Sequence, residues 1–149
     1  MDFRLASFRG TGRRFELKGQ VQGIRVIDDY GHHPTEVAVT LETAKRYATE
    51  GRVLVIFQPH RYSRTKAFAD NFARALDSAD EVWILEIYSA GEAPLSGISG
   101  ELIARKMKRG QFEPNFMSVL SGVVDSAQPG DVILTLGAGD VNSLAPTNS

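Results

Sequence analysis

The stretch VLVIF at residues 53–57 is a continuous run of large apolar side chains. Two runs of the same kind follow it, VWIL at residues 82–85 and VILTL at residues 132–136. Strands that are covered on both faces have this composition, whereas half-exposed strands alternate apolar and polar side chains. The three runs therefore predict parallel strands in the middle of a sheet that is covered by helices.

Segments with helical periodicity separate these runs. Pro34 suits the first turn of one helix, Gly51 suits its end, and Ser99 is placed to cap another. The segment 15–27 predicts a β-hairpin with its turn in residues 19–23. The predicted apolar stripes consist of Val37, Leu41, Ala44 and Ala48; Phe68, Phe72 and Leu76; and Leu120, Val123, Val124 and Ala127. The predicted fold class is thus α/β: a Rossmann-like, open, mostly parallel sheet flanked by helices, with an N-terminal β-hairpin.

Composition excludes several classes of function. The 149 residues carry 17 Lys and Arg against 18 Asp and Glu, a net charge of −1 that argues against binding to nucleic acid or membranes through bulk charge. The chain has no cysteine, which excludes a disulfide scaffold and a thiolate zinc site. No apolar run approaches the roughly 20 residues of a spanning helix, and residues 1–4 do not open a signal peptide. We expect a cytoplasmic protein.

A polar loop, DDYGHHP at residues 28–34, follows the first extended segment. Open α/β sheets bind ligands at this end of their strands. A carboxylate there can accept hydrogen bonds from ribose hydroxyls, and a Tyr or His ring can stack on a base. Because Asp29 lies in a polar loop, we expect its loss to affect ligand binding more than folding. Two other interpretations stay open: that Asp28 or Asp29 only orders the turn, and that the three histidines His32, His33 and His60 bind zinc, although their spacing is not diagnostic.

A second loop, QPHRYSRT at residues 58–65, places Arg61 and Arg64 three residues apart. Two guanidinium groups can hold a carboxylate or phosphate with bidentate hydrogen bonds. The alternative is a solvated basic turn before the next helix. We interpret residues 86–94 as a wall of the cleft, and GAGD at residues 137–140 as backbone that approaches a ligand closely. The chain contains no GxxxxGK[ST] phosphate loop, so alone it does not cradle a triphosphate.

Five segments together resemble the C-terminal domain of the Mur ligases: GTGRRF at 10–15, DDYGHHPTE at 28–36, FQPHRYSRT at 57–65, YSAGEAP at 88–94 and GAGD at 137–140. The resemblance implies a three-domain ligase. Residues 1–12 would be an interdomain linker and residues 13–149 the C-terminal domain, while the sugar-binding and central ATPase domains are absent from this chain. After Asp140 the sequence departs from the longer helix that is usual in the family.

The resemblance also implies a reaction. Members of the nearest branch use ATP and magnesium to join L-alanine to UDP-N-acetylmuramate in peptidoglycan precursor synthesis, through an acyl phosphate. Magnesium would be bound mainly by the missing central domain, so no metal ligand is assigned here, and the isolated chain is expected to be inactive. By position, the implied nucleotide-binding residues are Arg14, Asp29, Tyr30 and His32, and those for the amino acid and the intermediate are His60, Arg61 and Arg64.

Other functions remain open at this point. The chain could be the same domain of the related peptide-recycling muramate ligase, which shares the double histidine. A stand-alone module that binds a nucleotide or another anion is the main rival from a different class. A zinc hydrolase built on the histidines is a third hypothesis.

Overall fold

The computed structural model describes residues 15–137 and contains six strands and four helices in that range. The strands are β1 (Glu16–Val21), β2 (Ile24–Asp29), β3 (Val53–Gln58), β4 (Glu81–Ile84), β5 (Gly110–Phe112) and β6 (Val132–Gly137). The helices are α1 (Pro34–Ala48), α2 (Tyr62–Leu76), α3 (Gly100–Lys106) and α4 (Phe116–Ser126). In the described part of the chain, no helix is long and apolar enough to cross a membrane.

All six strands form one sheet in the order β1-β2-β6-β3-β4-β5. β1 is antiparallel to β2, and every other neighbouring pair is parallel. β3 lies in the middle, between β6 and β4, and all six of its residues are buried. This arrangement confirms the predicted open α/β sheet with an N-terminal hairpin.

The hairpin turn is shorter than the sequence suggested. Only Gln22 and Gly23 connect β1 to β2, and both have positive φ, 53° and 82°. Two-residue hairpins favour such backbone angles because they match the twist of the strands. Gly19, which the pattern placed in the turn, instead lies in β1 at a register shift that begins after Leu17.

Helices α1, α2 and α3 pack on one face of the sheet. Their apolar stripes join the inward side chains of the parallel strands in one cluster that includes Leu41, Phe72 and Ile103. Phe72 contacts Phe57 of β3 with ring centroids 5.2 Å apart. Each such fully buried side chain contributes roughly 1.5–3 kcal/mol, so this cluster stabilises the positions of the three helices.

Helix α4 packs on the opposite face. Val119 and Val123 contact a second cluster that contains Leu54 and Trp83. The prediction that Val124 faces the sheet is wrong, because its side chain is 67% exposed. Positions 119 and 123 lie one above the other on a helix, and position 124 points about 100° away from its predecessor.

Two further elements differ from the sequence interpretation. The three-residue strand β5 was not predicted, because GQF has no alternation or apolar run to mark it. Helix α2 begins at Tyr62, within the segment that was predicted as a loop. At Phe68 the backbone leaves helical geometry, with φ −120° and ψ 18°, so α2 consists of a first segment at residues 62–67 and a second that starts at residue 69.

A network of charged groups lies at the edge of the sheet where β3, β4 and β6 begin. Asp131 accepts hydrogen bonds from the backbone N–H groups of Arg52 and Gln128 at 3.0 and 2.9 Å, and from the Arg52 guanidinium at 3.0 Å. Arg52 also contacts Glu81 at 3.2 Å. Burial opposes ionisation of Asp131, but these donors outweigh it, so the pKa of its carboxyl lies below the ordinary value.

We predict that Asp131→Ala lowers the free energy of unfolding by about 2–3 kcal/mol, because buried donors lose their acceptor. The measurement is urea unfolding at pH 7, with Asp125→Ala, an exposed change on α4, as the control. The contribution of Asp131 is complete above the pKa of an unfolded aspartate, about 3.9, and is lost as the pH falls through the lower folded value. Equal stability of the two variants would contradict the role of the network.

Candidate functional site

The loops that follow β3 and β4 are joined by backbone hydrogen bonds at the carboxyl-terminal edge of the sheet. His60 and Tyr88 form an isolated parallel bridge beyond the ends of the two strands. The N–H of Tyr88 donates to the carbonyl of Pro59 at 2.8 Å, and the N–H of Arg61 donates to the carbonyl of Tyr88 at 2.8 Å. These bonds fix the segment that contains His60 and Arg61 against the loop after β4.

Four aromatic rings form a continuous row across this edge. The ring centroids are 5.2 Å apart for Tyr30 and His32, 5.3 Å for His32 and His60, and 5.7 Å for His60 and Tyr88. The two tyrosines at the ends are 36% and 38% exposed. We call these four residues the ring row. It offers flat surfaces on which a planar group such as a base can stack.

Asp29 is the last residue of β2 and directly precedes Tyr30 of the ring row. Its side chain is buried, and its two carboxylate oxygens accept hydrogen bonds from the N–H of Phe15 at 2.8 Å and the N–H of Gly31 at 2.7 Å. The interpretation that this aspartate orders the turn therefore has direct structural support. The expectation that its loss would leave folding almost unchanged does not fit these contacts.

The N-terminus of α1 is capped by the side chains of His33 and Glu36. Glu36 accepts hydrogen bonds from the N–H groups of His32 and His33 at 3.0 and 3.3 Å, and the His33 ring accepts from the N–H of Thr35 at 3.4 Å. The His33 ring also packs on Phe68, with centroids 5.0 Å apart. The His33 ring thus contacts the start of α1 and Phe68 of α2. Across residues 15–137, no three His, Asp or Glu side chains are grouped as ligands for a metal ion.

Arg64 is directed back to the end of β3 by its position one turn into α2. Its guanidinium lies 3.1 Å from Nδ1 of His60 and donates to the His60 carbonyl at 3.4 Å. Arg61 is exposed and precedes α2 with φ 77° and ψ 137°, a conformation that a non-glycine residue seldom adopts. The structure therefore brings Arg64 to His60 and leaves Arg61 open to solvent.

The electrostatic environment disfavours the protonated form of His60. Burial is the largest cause that lowers the pKa of its imidazole, followed by the nearby His32, Arg64 and Arg61. A neutral ring with its proton on Nε2 leaves Nδ1 free to accept from Arg64, which agrees with the observed contact.

One residue of the site, Glu92, was missed by the sequence analysis, which assigned residues 86–94 to a wall. Its carboxylate accepts hydrogen bonds from the N–H groups of Tyr62 at 2.6 Å and Ser63 at 3.1 Å, and from the Ser63 hydroxyl. The bonds from Ser63 are the main reason that the pKa of Glu92 lies below its ordinary value. No local sequence signal marks this contact, because Glu92 lies 30 residues from Tyr62 along the chain.

Several sequence predictions lie outside the described residues: the linker at residues 1–12, Arg14, the part of GAGD that follows Gly137, and the departure from the family pattern after Asp140. Gly137 itself has φ 114°, and a Cβ there would meet the Gln58 carbonyl oxygen. The close backbone approach predicted for this segment is thus, at Gly137, an approach to β3.

The structure is an α/β domain whose carboxyl-terminal sheet edge carries a row of aromatic rings and two arginine side chains. A family model described as the Mur ligase, glutamate ligase domain matches residues 13–139. The chain therefore belongs to the Mur ligase family, as a domain of this type.

Similar proteins carry more specific names. A UDP-N-acetylmuramate–L-alanine ligase of Mycobacterium ulcerans is 52% identical in an alignment of 146 residues. The alignment covers 95% of this chain and 30% of that protein. The solved UDP-N-acetylmuramate-alanine ligase MurC of Thermotoga maritima is 35% identical with a TM-score of 0.70, covering 91% of this chain and 29% of its own. A murein peptide ligase of Psychrobacter arcticus is 26% identical with a TM-score of 0.74, covering 93% and 29%. The chain thus spans less than a third of the length of these proteins.

We predict that Asp29→Ala lowers the free energy of unfolding by about 2–3 kcal/mol, because the N–H groups of Phe15 and Gly31 lose their acceptor. Urea unfolding of the 149-residue chain measures this, with the exposed Glu50→Ala as the control. A free energy of unfolding equal to that of the unchanged chain would show that Asp29 is dispensable for the turn.

A second prediction concerns His60. Its pKa, followed by NMR through the ring proton shifts, should lie below the usual value of about 6.5. Arg64→Ala should raise it, because the change removes a neighbouring positive charge and part of the burial. Arg105→Ala, an exposed change on α3, is the control. An unchanged His60 titration in the Arg64 variant would mean that the two side chains do not interact in solution.

Proposed function

We propose that this chain is the C-terminal domain of an ATP-dependent ligase that joins L-alanine to UDP-N-acetylmuramate in peptidoglycan precursor synthesis. The observation on which the proposal depends is the convergence of the ring row with Arg64 and His60 at one edge of a Mur ligase domain. The names and identities of the relatives support the choice of L-alanine as the amino acid. The ligase consumes ATP, so we place it in the cytoplasm.

The ring row supports the proposed nucleotide contacts. Tyr30 and His32 have adjacent rings at the end of the row that Tyr30 forms, where an adenine can stack. Asp29 shapes the loop that bears both rings, and its contact with the ribose is part of the proposal. Arg14 completes the proposed nucleotide set.

The second half of the edge supports binding of the amino acid. L-Alanine brings a carboxylate and the acyl phosphate brings a phosphate, and both anions suit guanidinium groups. Arg64 is oriented by His60, and Arg61 is exposed beside it. A neutral His60 can offer an Nε2 proton to a ligand oxygen while its Nδ1 accepts from Arg64. We therefore assign His60, Arg61 and Arg64 to the amino acid and the intermediate.

The remaining parts of the reaction belong to other domains in this proposal. Residues 1–12 would connect this domain to the central ATPase domain, and the sugar-binding domain would bind UDP-N-acetylmuramate. ATP and magnesium would meet mainly in the central domain.

The proposal can be tested by exchanging domains. We predict that the M. ulcerans ligase, with its matching 146 residues replaced by this chain, releases phosphate from ATP only when both L-alanine and UDP-N-acetylmuramate are present. The 149-residue chain alone should release none. In the hybrid, Arg64→Ala and Arg64→Lys should each lower kcat/KM for L-alanine about ten- to a hundredfold, because lysine keeps the charge but lacks the planar fork.

The control is Arg105→Lys, which should leave the kinetics unchanged. If the hybrid uses a free tripeptide but not L-alanine as the amine, the domain belongs to the peptide-recycling ligases. A hybrid that is folded and inactive with both amines, while the chain alone binds nucleotide, would favour the stand-alone module.

A further inference from the structure

The first segment of α2, residues 62–67, bears Arg64. The non-helical backbone at Phe68 separates this segment from residues 69–76, and within the first segment only Thr65 is buried. Arg61, at the N-cap position, makes no side-chain hydrogen bond to the helix. Its positive φ costs on the order of 1–3 kcal/mol, so the surrounding contacts must impose this conformation.

Glu92 supplies the missing acceptor from a different loop. One of its carboxylate oxygens accepts from two consecutive N–H groups of the first turn, those of Tyr62 and Ser63, and the other accepts from the Ser63 hydroxyl. Two of the four N–H groups that a helix start leaves without partners are satisfied in this way. A negative charge at this end is also favourable for the helix dipole.

The loop that presents Glu92 is itself closely tied to the site. Ala90 and Gly91 both have positive φ, 51° and 90°, and the N–H of Glu92 donates to the carbonyl of Ser89 at 3.0 Å. This turn follows directly after Tyr88, which is bonded to Pro59 and Arg61 on either side of His60. The loop after β4 therefore contacts residues 59–63 at two points. Tyr88 binds Pro59 and Arg61, and Glu92 binds Tyr62 and Ser63.

We propose that Glu92 is a positioning residue, which fixes the first segment of α2 so that Arg61 and Arg64 are correctly placed for the carboxylate of the amino acid. The assignment of that ligand rests on the proposed function, whereas the contact itself does not. The carboxylate of Glu92 already accepts from the N–H groups of Tyr62 and Ser63 at the start of α2. An incoming anion would therefore bind the guanidinium groups and not these N–H groups. Glu92 itself does not touch the substrate in this proposal.

Three variants test this role in the hybrid ligase. Glu92→Ala should raise KM for L-alanine about tenfold while KM for ATP stays within twofold. Glu92→Gln keeps an oxygen that can accept from Tyr62 and Ser63, so it should restore KM for L-alanine to within about threefold of the unchanged hybrid. Glu101→Ala is the matched control, because Glu101 is an exposed glutamate in the first turn of α3; it should change neither constant.

A second measurement does not depend on the reaction. In the 149-residue chain, hydrogen exchange by NMR should be at least tenfold faster at the amides of Tyr62 and Ser63 in Glu92→Ala, and should recover in Glu92→Gln. Unchanged exchange, or a KM for L-alanine that Glu92→Ala leaves unaltered, would overturn the proposal. So would equal increases in both KM values with no recovery in Glu92→Gln, since that pattern indicates general loss of structure.

The two readouts separate the possible failures. A hybrid that does not use L-alanine contradicts the proposed function. The hydrogen-exchange rates of the Tyr62 and Ser63 amides then still decide whether Glu92 fixes the first segment of α2.

Discussion

The parallel pairing of β3 with β6 on one side and β4 on the other determines the rest of this structure. Because β3 is buried along its whole length, its register fixes where each neighbouring strand ends. All parallel strands then finish at the same edge, and the loops that follow β2, β3 and β4 emerge there together. The opposite edge, closed by the Arg52–Asp131 network, fixes the starts of β3 and β6.

Three carboxylates of the chain organise the functional edge by accepting backbone N–H groups. Asp29 orders the turn after β2, Glu36 closes the start of α1, and Glu92 closes the start of α2. Helix starts and tight turns often bind ligand anions through these same groups. Here the chain uses them internally, so the proposed function assigns ligand recognition at this edge to the rings and guanidinium groups. The backbone of each loop is thereby defined without a ligand.

The sequence predicts the fold well because its strongest signals are the buried strands. Runs such as VLVIF predict buried strands, and Pro34 and Ser99 mark the starts of α1 and α3 correctly. It predicts the members of the site less completely. Glu92 lies 30 residues from the N–H group of Tyr62 that it binds, and no local pattern encodes a cap of that range. The prediction for Val124 is wrong and the strand β5 is missed for a different reason, since packing partners and not periodicity decide them.

The break at Phe68 separates two requirements that a continuous helix would have to meet together. Residues from Ala69 to Leu76 pack into the core, where a changed side chain costs stability. Within residues 62–67 only Thr65 is buried, and Glu92 of the neighbouring loop binds the first turn. Substitutions at exposed positions such as Lys66 can alter the shape or charge of the edge without disturbing the packed half of the helix. Under the proposed function, this is a region in which selection can adjust recognition of a different amine while the sheet and its helices remain the same.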